Sequence, residues 1–470
     1  MSDGHWLTSR KIVERIVVEG DLLLETPACF GSGNSDSLTD MPLALDPLED
    51  RGLLMGSSLA GALRAYLRER EFGYWLDGDS SALHNRLFGR QEADEGEQSW
   101  LITYDALSAP RPGIELRDGV AIDPITRTVE SRKKFEMELL EAGTCFLLRV
   151  ELLISQDQDR NAFLEGLAIA LQGLENGEIA LGARKRRGFG QCRVIQWRVT
   201  RYDLTTLEGL LAWLNGAGTS QTGSRIADLL GVRADRDQRE VFLVDATFRL
   251  NGSLLIRSAG EEFNAPDMVH LRSRRNGKPI PILSGTSLAG ALRARALRIA
   301  KTMGPERKAA DLVNELFGPR IRSSRGKPRA SRLTTAETEI RSPLDLVHTR
   351  LKIDRFTGSA YPGALFSEQP VWGTKDTTIT ILLAIQQPKD PHIGLVLLLL
   401  KDLWTGDLPL GGEISVGRGR LKGQEATLQY KHPDSSRQWR LIQDGDRLHV
   451  EGDKEDLERF VAAFMQEVRS

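Results

Sequence analysis

Cysteine is nearly absent from this 470-residue chain: Cys29, Cys145 and Cys192 are odd in number and far apart. That excludes a disulfide framework and any zinc site of the paired-cysteine kind, and it fits reduced thiols in the cytoplasm. Long apolar runs are lacking too. The longest, Ile393 to Leu400 with one glycine, is too short to span a bilayer, so no membrane association is expected. The first residues, MSDGHWLTSRK, lack the apolar core of a signal peptide. No charge of one sign dominates: 63 Lys and Arg against 65 Asp and Glu give a net charge of −2. A globally basic nucleic-acid coat is thereby excluded, and any polyanion contact has to come from local basic patches. The seven histidines form no metal pair at helical spacing, and His270 reads as an incidental polar loop residue.

Glycine, by contrast, is abundant at 45 residues, and much of it sits in paired segments. GSSLAGALR begins at Gly56 and GTSLAGALR at Gly285, 229 residues later. LFG at Leu87 returns at Leu316, also 229 on. Ile122-Asp123 with Thr126 matches Ile353-Asp354 with Thr357, and Phe135 matches Phe366, both at 231. GARKRRGFG from Gly182 pairs with GGEISVGRG from Gly411, and Gly20 to Leu24 with Gly252 to Ile256. Six matches in one order mean a duplicated domain. The copies span roughly 11–200 and 239–430, so the expected division is 1–200, a linker with a helix at 201–238, 239–430, and a hairpin and helix at 431–470. In the linker, Leu207, Leu210, Leu211, Trp213 and Leu214 suggest a helix, and GAGTSQTGS at 216–224 a flexible connector.

Each copy opens on a strand-like run (Ile16 to Leu24; Phe242 to Ile256). Ser57/Ser58 or Thr286/Ser287 then stand as N-cap candidates before an Ala/Leu/Arg helix. Further strands (Cys145 to Leu153; Thr378 to Ile385), a second helix (Phe163 to Leu174; Gly394 to Leu403), a Gly-rich loop and a closing strand follow. The order β-α-β-β-α-β predicts an α+β fold, tandem ferredoxin-like (RRM-like) domains.

Two loops per copy carry candidate chemistry. At the helix start, the hydroxyls of Ser57, Ser58, Thr286 and Ser287 lie beside free backbone N–H groups. That arrangement suits an RNA phosphate or serves as an ordinary cap, with Arg64 and Arg293 two turns further in. In the second loop, Gly182, Gly188 and Gly190 bracket Arg184, Lys185, Arg186 and Arg187. Adjacent cations repel one another, while glycines let backbone approach a phosphate that the cations neutralise. The second copy keeps Gly417 and Gly419 with Arg418 and Arg420. A plain hairpin turn is the alternative in both. After LFG the copies diverge, with four acids in 91–98 against six cations in 320–332. Both segments read as solvated loops, or the basic one as an RNA or subunit contact.

The GSSLAGALR helix start, the Ile-Asp-Arg…Thr-Gly segment at 353–358 and the loop GGEISVGRG resemble the RAMP superfamily of CRISPR-associated proteins. With an Asp-Met step before the helix, the chain looks most like the backbone subunits of type III effectors, and the doubling looks like the fused subunits of type III-D systems. The resemblance implies binding of CRISPR RNA, pairing with complementary target RNA, and assembly with a large polymerase-like subunit and further RAMP subunits. It implies inserted hairpin thumbs, around 119–136 with Asp123 and Phe135, and around 350–367 with Asp354, Arg355 and Phe366. The first thumb reads Asp-Pro-Ile-Thr-Arg from Asp123, a departure from the family pattern.

It implies, finally, that an acid in the loop before the first helix cleaves target RNA with a divalent metal, magnesium or manganese. The matching positions are Asp40 and Asp267, both followed by Met. Asp36, Asp46, Glu261 and Glu262 are rivals. A lone carboxylate is a poor metal trap, so the ion is expected to come with the RNA phosphates. Other readings are a non-catalytic scaffold and a stand-alone processing nuclease. A tandem RRM protein lacks support, because the aromatic-rich stacking segment is missing.

Overall fold

The computed structural model describes residues 11–33, 39–75, 81–92, 95–123, 126, 128–260, 265–319 and 329–469. Asp36, Glu261, Glu262, Pro124, Ile125, Arg127 and most of the 320–332 loop lie outside the described residues. The chain divides into two compact units. The first comprises 1–115, 138–185 and 190–238, and the second 116–137, 186–189 and 239–470.

In the first unit, Ile16, Val18, Leu22 and Leu24 recur at every second position and are buried, which places one face of strand Ile12–Leu24 against the core. Helix Gly56–Phe72 answers with Leu59, Leu63 and Leu67, spaced i, i+4, i+8 on one stripe. Strands Leu101–Thr103 and Cys145–Ser155, helix Arg160–Glu175 and strand Cys192–Asp203 complete the set. The central four strands order as closing, opening, third, second, and the neighbours pair antiparallel. This is the ferredoxin-like arrangement.

The second unit repeats it, with Val241–Asn251, helix Gly285–Met303, the pieces Leu333–Thr335 and Thr338–Arg341, Thr378–Gln386, helix Asp390–Trp404 and Arg420–His432. Its sheet runs on through Ser435–Asp444 and Arg447–Glu451. Helix Lys454–Arg469 then lays Phe460 and Phe464 on helix Asp390–Trp404 and Val468 against Gly304. The apolar run Ile393 to Leu400 is thus a helix covered on two sides. Gly394 permits the crossing, since a β-carbon there would fall 2.1 Å from the Phe460 carbonyl oxygen. Among the described residues no helix is long and apolar enough to cross a membrane.

Several expectations need correction. The helices begin at Gly56 and Gly285. The flanking residue is Met55, without a side-chain cap, in one case, and Ser284, whose hydroxyl accepts the Ser287 N–H at 3.2 Å, in the other. Ser57, Ser58, Thr286 and Ser287 are therefore first-turn residues. Glycine is required at the start because backbone passes close by: a β-carbon on Gly56 would lie 2.4 Å from the Thr103 oxygen, and one on Gly285 2.8 Å from that of Thr335. The expected flexible connector contains strand Thr219–Gly223, paired with Trp197 to Arg201. Its hydroxyl residues suit an exposed edge, and Ser220 meets Thr200 at 2.8 Å. Helix Leu207–Leu214 forms as expected but buries none of its leucines. The opening run of the second copy forms two strands, Val241–Asn251 and Ser253–Leu254.

Candidate nucleic-acid interface

The two Gly-rich loops share one backbone. Arg184 and Glu413, at equivalent positions, are both left-handed, with φ 55° and 57°. A 3-10 turn follows in each, Lys185–Arg187 and Ile414–Val416. Gly190 and Gly419 each approach so closely that a β-carbon would lie 1.8 Å from the oxygen of Leu181 or Leu410. Gly182 and Gly411 (φ 86° and 77°) crowd the carbonyls of Cys29 and Leu255 in the same way. Here the glycines serve backbone packing against backbone.

The side chains divide. Arg184 and Lys185 are exposed. Arg186 donates to the Ser331 carbonyl and Arg187 to that of Phe317. Gly188 abuts the backbone of Glu337, where a β-carbon would meet its nitrogen at 2.2 Å. These three residues face polypeptide, not an open phosphate track. Arg418 is buried, 4% exposed, and its guanidinium meets Glu368 and Glu413, while Arg420 is exposed and donates to the Gly406 carbonyl. Arg64 and Arg293 hold equivalent bonds, to Asn85 at 2.8 Å and Asn314 at 2.7 Å, and so brace the first helix of each copy to the next.

At the helix starts Ser57 and Ser58 are exposed. The Gly56 N–H, however, already donates to the Asp105 carboxylate at 2.6 Å. An acid at that end opposes a phosphate there.

Asp40 and Asp267 are both exposed. Each precedes a methionine that lines up beside the returning strand of a long hairpin. The Glu138 N–H donates to the Met41 oxygen at 3.1 Å, and Met268 pairs parallel with Glu368. The Asp40 loop is clamped by Glu138, whose carboxylate accepts from the Thr39 hydroxyl at 2.9 Å and the Leu43 N–H at 3.0 Å. One oxygen of Asp267 accepts from the N–H and hydroxyl of Ser367, at 2.7 and 3.1 Å. Those bonds, the N–H first, hold its carboxyl below the usual range. Ser367 is fixed by its neighbour Glu368, which is locked by Arg350 and Arg418. The rival Asp46 caps its own turn, accepting from the N–H groups of Leu48 and Glu49. Among the described residues no three His, Cys, Asp or Glu gather as a metal cage.

The hairpins are longer than the expected thumbs: Ile114–Ile122 with Val129–Leu140, and His348–Ile353 with Ala360–Gln369. Their tips agree despite the different sequence. Asp123 accepts from the Thr126 N–H and Asp354 from the Thr357 N–H, both at 2.9 Å. Phe356, 98% exposed, stands at the second tip. Within the second unit, Arg117 forms a bidentate pair with Glu337 at 2.5 and 3.2 Å, with Arg275 also on Glu337 at 3.2 Å. His270 is a buried strut, bonded to the backbone of Leu254, Ile256 and Ile282.

Sequence reasoning missed Asp105, Arg117, Glu138, Glu337, Ser367 and Glu368. A signal existed for one pair. Thr103-Tyr104-Asp105 and Thr335-Ala336-Glu337 lie 232 apart, within the drift of the other matches.

A family model described as the RAMP superfamily matches residues 21–193 and 247–422, most of both copies. The chain is also similar to the CRISPR system Cms endoribonuclease Csm3 of Methanocaldococcus jannaschii. The two are 27% identical over 201 residues, 38% of this chain and 78% of that protein. With two ferredoxin-like cores carrying the same hairpin and the same Gly-rich loop, this chain belongs to the RAMP superfamily, as two repeats in one polypeptide.

Proposed function

We propose that this chain is an RNA-binding backbone subunit of a type III CRISPR effector complex, holding CRISPR RNA and cleaving complementary target RNA at two places. The observation that carries the reading is the doubled geometry around Asp40 and Asp267. Two exposed carboxylates one residue before a methionine, each at the base of a protruding hairpin, give two equivalent sites. The name of the archaeal relative, an endoribonuclease, supports the activity. Arg184 and Lys185 supply cations for the phosphate backbone, with Arg420 on the second loop, and the hairpins meet the duplex.

Each Asp orients the 2′-hydroxyl next to the scissile phosphate and accepts its proton as the oxygen attacks phosphorus; the P–O5′ bond breaks, leaving a 2′,3′-cyclic phosphate, and the departing 5′-oxygen takes a proton from water. Ser367, by holding one oxygen of Asp267, leaves the other to face the RNA. Asp40 and Asp267 would each offer one carboxylate to a magnesium or manganese ion shared with the substrate phosphates, which would offset the charge developing on the phosphate oxygens. Asp40→Ala removes one cut and Asp267→Ala the other, with target binding intact, since the carboxylate acts in the transition state and adds little to duplex affinity. A denaturing gel of end-labelled, guide-matched RNA with the reconstituted complex reads both bands. A chelator erases them and magnesium or manganese restores them. Unchanged bands in the double variant would assign the cutting to another subunit and leave this chain a scaffold.

A further inference from the structure

Glu337 and Asp105 occupy the same place in the two repeats. Leu101 pairs with Leu152 and Thr103 with Val150, while Leu333 pairs with Ile385 and Thr335 with Leu383. Each acid therefore lies two residues beyond the threonine whose carbonyl crowds the helix-start glycine. Their surroundings differ. Glu337 has a side chain 1% exposed, covered by Arg117 and Arg275, and the backbone of Arg187 and Gly188 closes over the same spot. Asp105 is exposed, with exposed Met55, Ile102 and Tyr104 around it.

The geometry points to Asp105 as the docking point for an arginine-bearing hairpin of another RAMP-family subunit, and to a face that refuses a second copy of this chain. Charge complementarity and the filled equivalent carry the first half. The pairing that buries Glu337 is the one that an exposed, equivalent Asp105 is built to accept.

The second half follows from the outgoing elements. The hairpins run in step at 231, Gly119 facing Phe135 as Arg350 faces Phe366, so the position of Arg117 is taken by His348, whose ring lies on Trp372 at 5.0 Å. Arg186 and Arg187 are replaced by Ser415 and Val416. Val416 is 59% exposed, and Gly417 has open space where Gly188 has Glu337. The three positions that supply cations around Glu337 thus carry no arginine on the chain's own outgoing face, and Arg350, the nearest arginine of that hairpin, is committed to Glu368 and Glu413. Asp105 thereby belongs to a protein contact, and not to a phosphate site at the helix start.

The inference rests on reading the chain as a backbone subunit, and its test contains no RNA, so loss of RNA binding or cleavage elsewhere leaves it untouched. The 470-residue chain in sedimentation velocity stays at its single-chain mass, 52.2 kDa. The variant H348R/S415R/V416R gains the missing cations and its weight-average mass at least doubles with rising concentration; adding D105R abolishes the gain. The swapped set, H348D/S415D/V416D with D105R, associates as well and guards against misfolding of the first variant, with circular dichroism checking both. Three outcomes overturn the inference: neither set associates while folded, association survives D105R, or the unaltered chain self-associates and D105R stops it.

Discussion

Four consecutive cations look like one site in the sequence, and the side chains separate them into two pairs. Arg184 and Lys185 are exposed, while Arg186 and Arg187 end on backbone carbonyls. Reversing Arg184 and Lys185 to Glu weakens RNA binding regardless of sequence and lowers the slope of log affinity against log salt by about 1–2, because each phosphate contact contributes roughly 0.7–0.9. Reversing Arg186 and Arg187 instead lowers stability, by roughly 0.5–1.5 kcal/mol for each part-buried bond lost. Filter binding across a salt series and urea denaturation separate the two effects.

At the scale of elements, most of the fold was legible. The strands from Ile16 and Phe242 and the helices at Gly56 and Gly285 follow from period-2 and i, i+4 patterns that burial enforces. The hairpins were legible only as places, because an exposed ribbon has no buried face to fix its length. Asp40 and Asp267 could be matched by resemblance, but their clamps, Glu138 and Ser367, could not, since those contacts join residues about 100 apart. His270 shows the same limit. Its ring reads as incidental in a loop and proves to tie three backbone stretches together, where burial pulls its pKa down to about 4. Burial does the same to His392. Both are neutral when folded, and the unfolded chain takes up their protons first, near pH 6.5. Stability is therefore complete above pH 6.5 and falls as pH drops toward 4, by on the order of 2 kcal/mol per histidine at pH 5. Denaturation midpoints from pH 8 to 5 measure the slope, and His270→Gln should reduce it by about half.

For the whole molecule, one buried ion pair concentrates the consequences. Arg117 is 4% exposed and Glu337 is more deeply covered. Arg117→Met leaves Glu337 with Arg275 alone and destabilises the second unit by about 3 kcal/mol. Replacing both residues, as R117M/E337M, recovers most of that loss, since no buried charge is then left short of a partner. Hydrogen exchange along Ile114–Leu140 follows the effect where it arises.

The second unit draws in Leu116–Met137 and Arg186–Phe189, segments that precede most of it in the chain. On a ribosome they emerge well before the surface they fit. From Met137 to Glu337 are 200 residues, ~10–40 s of synthesis at roughly 5–20 residues per second. Through that interval a hairpin carrying Arg117 waits without Glu337, its buried partner. The nascent chain thus has a window in which a chaperone, or the wrong subunit, can reach the hairpin first, and slowing or speeding translation between residues 137 and 337 changes how much of the protein matures.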